Sequence, residues 1–176
     1  MKTEHYDYFT PIIDWAKEKG ILENGRLTKQ LLKSSEECLE LQNAIESYEN
    51  GNKGALEEIK DAIGDVYVTL VISTQMRLNH PYIVFRKIKL RENNLIIPVD
   101  FKFYTTELKR LDLDLYSSFT GEITYDLDLK IAKYVEFLDF LAKTYDLKLT
   151  DCIEFAYNTI SKRKGKMIDG SFVKEK

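Results

Sequence analysis

The polar, glycine-bearing stretch ENGNKGA, Glu49 to Ala55, separates two long segments of helical periodicity, Leu27–Tyr48 and Leu56–Leu78. A connection that short forces the second helix to return antiparallel to the first. On the first, Leu31, Ser35, Cys38, Gln42 and Ile45 form one stripe, with Leu32 and Leu39 beside it. The second contains VYVTLVI, a β-branched run that could be written as a strand. Ile59, Ile63, Val66 and Leu70 keep helical register through it for three turns, so it is read as helix.

A helical pattern from Thr10 to Lys19, stopping at Gly20, precedes this pair. After Pro81 the texture changes. YIVFRKIKLRENNLIIPVDFKFY alternates apolar and polar residues around Arg91–Asn94 and is read as a β-hairpin. TTELKRLDLDLYSSF follows as a short helix ending at Gly121. Helical texture resumes over Leu127–Tyr145, and a last helix begins at Thr150 as N-cap and ends in Lys162, Arg163 and Lys164. KMIDGSFVK then alternates around Asp169-Gly170, the signature of a two-residue hairpin turn. The expected fold is one mainly α domain over residues 1–176, a helical bundle with an inserted β-hairpin and short-helix segment at about 81–128 and a C-terminal hairpin.

With 44% apolar and 31% charged residues the chain reads as globular. Lys plus Arg number 26 against 29 for Asp plus Glu, a net charge of −3 that argues against a nucleic-acid partner. Val66–Ile72, the longest apolar run in an expected helix, is far short of a membrane span, and MKTEHYDYF lacks the apolar core of a signal peptide. Cys38 and Cys152 stand alone, so neither a disulfide framework nor a thiolate metal site is expected. These features read as a cytoplasmic protein whose chemistry rests on carboxylates.

Those carboxylates cluster. At about 100° per residue, Glu36, Glu37 and Glu40 share one sector of the first long helix, and Glu58, Asp61 and Asp65 share one of the second. Like charges so spaced repel by roughly 0.2–0.5 kcal/mol per pair. Two readings stand: a solvated acidic face, or oxygen ligands for a hard cation such as magnesium. The second sector runs on into Val68, Thr69 and Ile72, so its apolar end is covered by protein and its acidic end partly enclosed. Few lysines or arginines on these helices are placed to neutralise it. That favours a metal.

SSEECLELQ (Ser34–Gln42) followed by LEEIKDAIGDVYVTLVI (Leu56–Ile72) resembles the MazG-like branch of the all-α nucleoside triphosphate pyrophosphatases, a superfamily that includes the dimeric dUTPases. The family pattern is EExxE on one helix and ExxD on the next. FAYNTISKRKGKMIDGSFVKE resembles the ends of phage-type MazG-like proteins. The resemblance covers roughly residues 10–78 and 127–175. It implies a Mg²⁺-dependent hydrolase (Mn²⁺ as substitute) that cleaves a nucleoside triphosphate between the α and β phosphates to monophosphate and pyrophosphate. It also implies a homodimer or homotetramer.

Carried onto this chain, the metal ligands are Glu37, Glu40, Asp61 and Asp65, with Glu58 in reserve. Glu36 or Glu58 is the general base, and Asn158, Lys162 and Arg163 bind substrate. Cations in the last turn of a helix are also favoured by its dipole alone. Ala62 departs from the family pattern: it stands where the acid three residues before Asp65 is usual, so either Asp61 or Glu58 supplies the missing ligand. A base-specific dUTP or dCTP pyrophosphatase, and a catalytically silent helical interaction protein, are the alternatives. Trp15 reads as core packing or as a base-stacking residue, and Cys38 as a buried hydrophobe.

Overall fold

The computed structural model describes residues 3–90, 100–121 and 126–175. It is a helical bundle carrying one small hairpin. A 3₁₀ turn at His5–Tyr8 leads into α1 (Phe9–Glu18) and the short α2 (Ile21–Asn24), and then into the long pair α3 (Leu27–Glu49) and α4 (Leu56–Arg77). There follow α5 (Pro81–Lys87), α6 (Phe101–Thr120), α7 (Leu127–Thr144), α8 (Leu149–Ile160), β1 (Gly165–Ile168) and β2 (Ser171–Lys174). None of the described helices is long and apolar enough to cross a membrane.

The hub is α4. Every residue from Ala62 to Thr74 is buried, because α3, α8, α1, α7 and α5 pack around it. A helix covered on all sides has no polar face to show, which is why VYVTLVI reads like a strand. Burial overrides its β propensity. The tightest of these contacts is with α8, where Gly64 lets the backbones meet: a Cβ on Gly64 would fall 2.2 Å from the Cys152 carbonyl oxygen and 2.6 Å from Ala156 Cβ.

The inserted segment differs from the expected hairpin. Tyr82–Lys87 and Phe101–Tyr104, read as strand, are helical, while the expected turn at 91–94 lies outside the described residues. The physical reason is visible in burial. Pro81, Val84, Phe85 and Ile88 are buried and the residues between them are not, a spacing of three and four that only a helix produces. Pro81 at the start of α5 presets the helical φ. Phe85 then packs on Phe9 and Tyr67, with ring centroids 5.4 and 5.7 Å apart. Asp100 caps α6, its side chain accepting from the Lys102 N–H at 3.0 Å, so that helix starts four residues before the expected TTELK. The last helix begins at Leu149 with Lys148 as its cap, which puts Thr150 inside the first turn.

The C-terminal hairpin forms as expected. β1 and β2 are antiparallel with Ile168 opposite Ser171, and Asp169 and Gly170 both take positive φ (50° and 82°), the primed turn that suits strand twist. The Arg26 N–H donates to the Gly170 carbonyl at 3.2 Å and pins the turn beside the start of α3.

Candidate active site

The two acidic sectors face one another across the α3–α4 pair and divide between two neighbouring cavities. Glu40, Glu58, Asp61 and Asp65 line the first, of about 470 Å³, with Asn43, Ser47 and Ala62 among its walls. Glu58 and Asp61 both open onto it, so either way of compensating for Ala62 delivers its acid to the same space. Glu40 and Glu58 are exposed, Asp61 is half-buried and Asp65 is buried. Asp61 Oδ1 is a buried oxygen with no hydrogen-bond partner.

Enclosure shows in the proton affinities. Burial, then the charge of Glu37, pushes the Asp65 carboxyl up to about 7, against the opposing pull of Arg163. Asp61 is raised chiefly by burial. Glu40 is raised by burial and by the charge and hydrogen bond of Glu37 one turn away. Among the described residues, no three acids, histidines or cysteines already converge as a metal cage.

Glu37, expected among the ligands, turns to the second cavity, of about 430 Å³, which it lines together with Glu36 and Asp65. Glu37 is only 4% exposed, and the Lys33 ammonium lies 2.8 Å from it and 2.9 Å from Glu36. Lys33 thus corrects the expectation that these helices carry few placed cations. Its spacing, three and four residues before the two acids, was readable as an ion pair. Asp65 lines this cavity too, and Arg163 Nη2 lies 3.7 Å from its Oδ2.

Arg26, Lys29 and Lys174 add positive charge to the same walls. Lys174 carries no local signal in the sequence, because only the return of β2 brings it to α3 and α4. Trp15, Ile72, Met76, Met167 and Phe172 form an apolar side of the lining, together with Val68 at the covered end of the α4 sector. Trp15 packs edge-on against Phe172 at 5.9 Å and is buried, so core packing and cavity wall are one role for it. Arg163 is therefore at the site, whereas Asn158 and Lys162 are exposed and line neither cavity, as is Lys164 beyond them. Cys38 is buried, as read from the sequence, and accepts from the Gln42 amide at 3.4 Å.

Compared with known proteins, the chain matches no family model, no curated protein and no solved structure.

Proposed function

We propose that this chain is a Mg²⁺-dependent nucleoside triphosphate pyrophosphohydrolase, acting on a ribo- or deoxyribonucleotide to give the monophosphate and pyrophosphate. The observation that carries the reading is the position of Asp65, shared by a cavity of carboxylates and a cavity of cations and apolar walls. A nucleoside triphosphate has matching parts: an apolar base for the Trp15–Met76–Phe172 side, and anionic phosphates for Lys33, Arg163 and Lys174 on the way to the acids. The EExxE-type resemblance of Ser34–Ile72 supports the same reaction.

The donors suit a hard divalent cation. Glu40, Asp61 and Asp65, with Glu58 beside them, offer only oxygen, and Asp61 Oδ1 lacks any other partner. A ready-made cage is not needed, since magnesium takes one or two carboxylates and completes its shell with water and substrate phosphate. Bound there, it would neutralise phosphate charge and hold the chain for in-line attack. Water adds across the α–β anhydride, one phosphate staying with the nucleoside while pyrophosphate leaves. Glu58 is our choice for the base that accepts the water's proton, because it shares the acid cavity while Glu36 is held by Lys33.

The test is a pyrophosphate-release assay across the common (d)NTPs, with Mg²⁺ and again with EDTA. Metal-dependent release with monophosphate as co-product is expected. A folded protein that turns over none of them would instead be a helical interaction protein.

A further inference from the structure

We infer that Lys33 is a phosphate-binding residue held in reserve: in the ligand-free chain it neutralises Glu37, and it exchanges that carboxylate for the phosphate chain when a divalent cation occupies the acids. This rests on the hydrolase reading. Glu37 is 4% exposed, and a carboxylate so enclosed needs a counter-charge. Lys33 supplies it at 2.8 Å while also touching Glu36 at 2.9 Å, so one ammonium serves two acids. Its own side chain is 41% exposed and lines the cation-rich cavity, and a lysine's four-carbon stem swings freely between partners.

Two things would loosen the Lys33–Glu37 pair together. A doubly charged cation among Glu40, Asp61 and Asp65 would repel the ammonium across Asp65, which both cavities share. Triphosphate entering the cavity offers that ammonium a stronger anion. Lys33 therefore senses the two ligands with opposite sign, opposing the cation when alone and favouring the nucleotide. Lys29 is the natural comparison. It lies one turn earlier on the same helix, lines the same cavity, and has no carboxylate within 4 Å among the described residues.

The experiment measures two affinities on the full chain by calorimetry: Mn²⁺ alone, and the α,β-imido analogues of dUTP, dCTP, dATP and dGTP in turn, each with Mg²⁺ and again in EDTA. In K33M, Mn²⁺ should bind roughly threefold tighter, the size of a partly exposed ion pair. The best analogue should bind about tenfold more weakly, the size of a charge-assisted hydrogen bond. K33R should resemble the wild type in both, and K29M should leave Mn²⁺ binding unchanged. K33Q repeats the comparison if K33M melts below the wild type.

Mn²⁺ affinity unchanged or weakened in K33M, or an equal gain in K29M, overturns the inference, because a purely structural lysine or a general charge effect would then suffice. A wild type that binds an analogue as K33M does overturns it as well. If the wild type binds none of the four analogues, with Mg²⁺ or without, the hydrolase reading falls and takes the phosphate half of the inference with it, and the Mn²⁺ arm still decides whether Lys33 guards Glu37.

Discussion

Arg163, three residues beyond the end of α8, reaches back to Asp65 in the middle of α4, with Nη2 3.7 Å from Oδ2. The contact is loose for an ion pair, and it leaves Asp65 dominated by burial and by Glu37, with its carboxyl at about 7. Asp65 is thus an acid held in the folded chain at a cost, which a bound cation would remove.

That cost is measurable as a pH-dependent stability. Unfolded, Asp65 titrates near 3.8; folded, at about 7. Between those values the folded chain binds the extra proton, so Asp65 stabilises the fold least above pH 7 and its penalty fades as pH falls toward 4. Asp65→Asn should therefore unfold later than the wild type at pH 8, by something of order 2–4 kcal/mol, and the gap should shrink to about a quarter of that by pH 4.5. Urea titrations of both proteins at the two pH values check this. A gap that is constant with pH would mean that Asp65 is ionised at no cost.

The same carboxylates should show opposite effects on stability and activity. Asp61→Asn and Glu40→Gln remove charge that burial has already made unfavourable. Their melting temperatures in EDTA should equal or exceed the wild type's. Pyrophosphate release should fall by about a hundredfold or more, as loss of a group that holds transition-state charge commonly does. Addition of Mg²⁺ should raise the melting temperature of the wild type and leave that of Asp61→Asn nearly unchanged. Turnover retained in both variants would remove these acids from the active site.

How much of this was legible in the sequence depended on range. The antiparallel α3–α4 pair followed from a short loop between two long periodic runs, and the C-terminal hairpin from Asp169-Gly170, because both signals are local. Tyr82–Lys87 misled, since four neighbouring apolar or aromatic residues beside alternating basic ones imitate a strand, and only the tertiary partners Phe9 and Tyr67 decide for helix. At the site, the acids were legible from spacing, but their division between two cavities was not. It turns on which way Glu37 faces, and Lys33 decides that. Lys174 and Phe172 reach the cavity only because β2 returns against α2, a contact with no trace in the sequence around them.

One such non-local contact ties the His5–Tyr8 turn to α4. His5 is buried, with Nδ1 3.0 Å from the Tyr67 hydroxyl, Nε2 3.3 Å from the Ile88 carbonyl, and the Tyr67 hydroxyl donating to the His5 carbonyl at 3.0 Å. Burial lowers the histidine's proton affinity, opposed by the Ile88 carbonyl and the nearby charges of Glu4, Asp139 and Asp7. A lowered value means that His5 supports the fold above its ordinary 6.5 and loses that support as pH falls below it. Tyr67→Phe strands two polar groups and should lose about 1–3 kcal/mol at pH 7.5. His5→Gln should flatten the drop in melting temperature between pH 7.5 and pH 5. An equally steep drop in that variant would assign the acid sensitivity to other groups.

Gly64 is the backbone feature on which the geometry around Asp65 depends, and a single methyl tests it. Gly64→Ala gains about 1 kcal/mol of helix propensity in the middle of α4. Against that, the new Cβ would meet the Cys152 carbonyl oxygen at 2.2 Å and Ala156 Cβ at 2.6 Å, and neither can rotate aside as the tip of a long side chain would. Overpacking of this kind typically costs 1–3 kcal/mol and more where backbone must move, so the clash should win and the variant should unfold about 2 kcal/mol more easily. The strain has one way out, which is for α8 to draw away from α4. That movement would carry Arg163 off Asp65 and remove the one nearby cation that lowers its proton affinity most. The pH at which Asp65 titrates, followed by NMR of its carboxyl carbon, should then rise above the wild-type value of about 7. A Gly64→Ala protein as stable as the wild type, with Asp65 titrating where it did, would mean that α4 and α8 do not pack this closely.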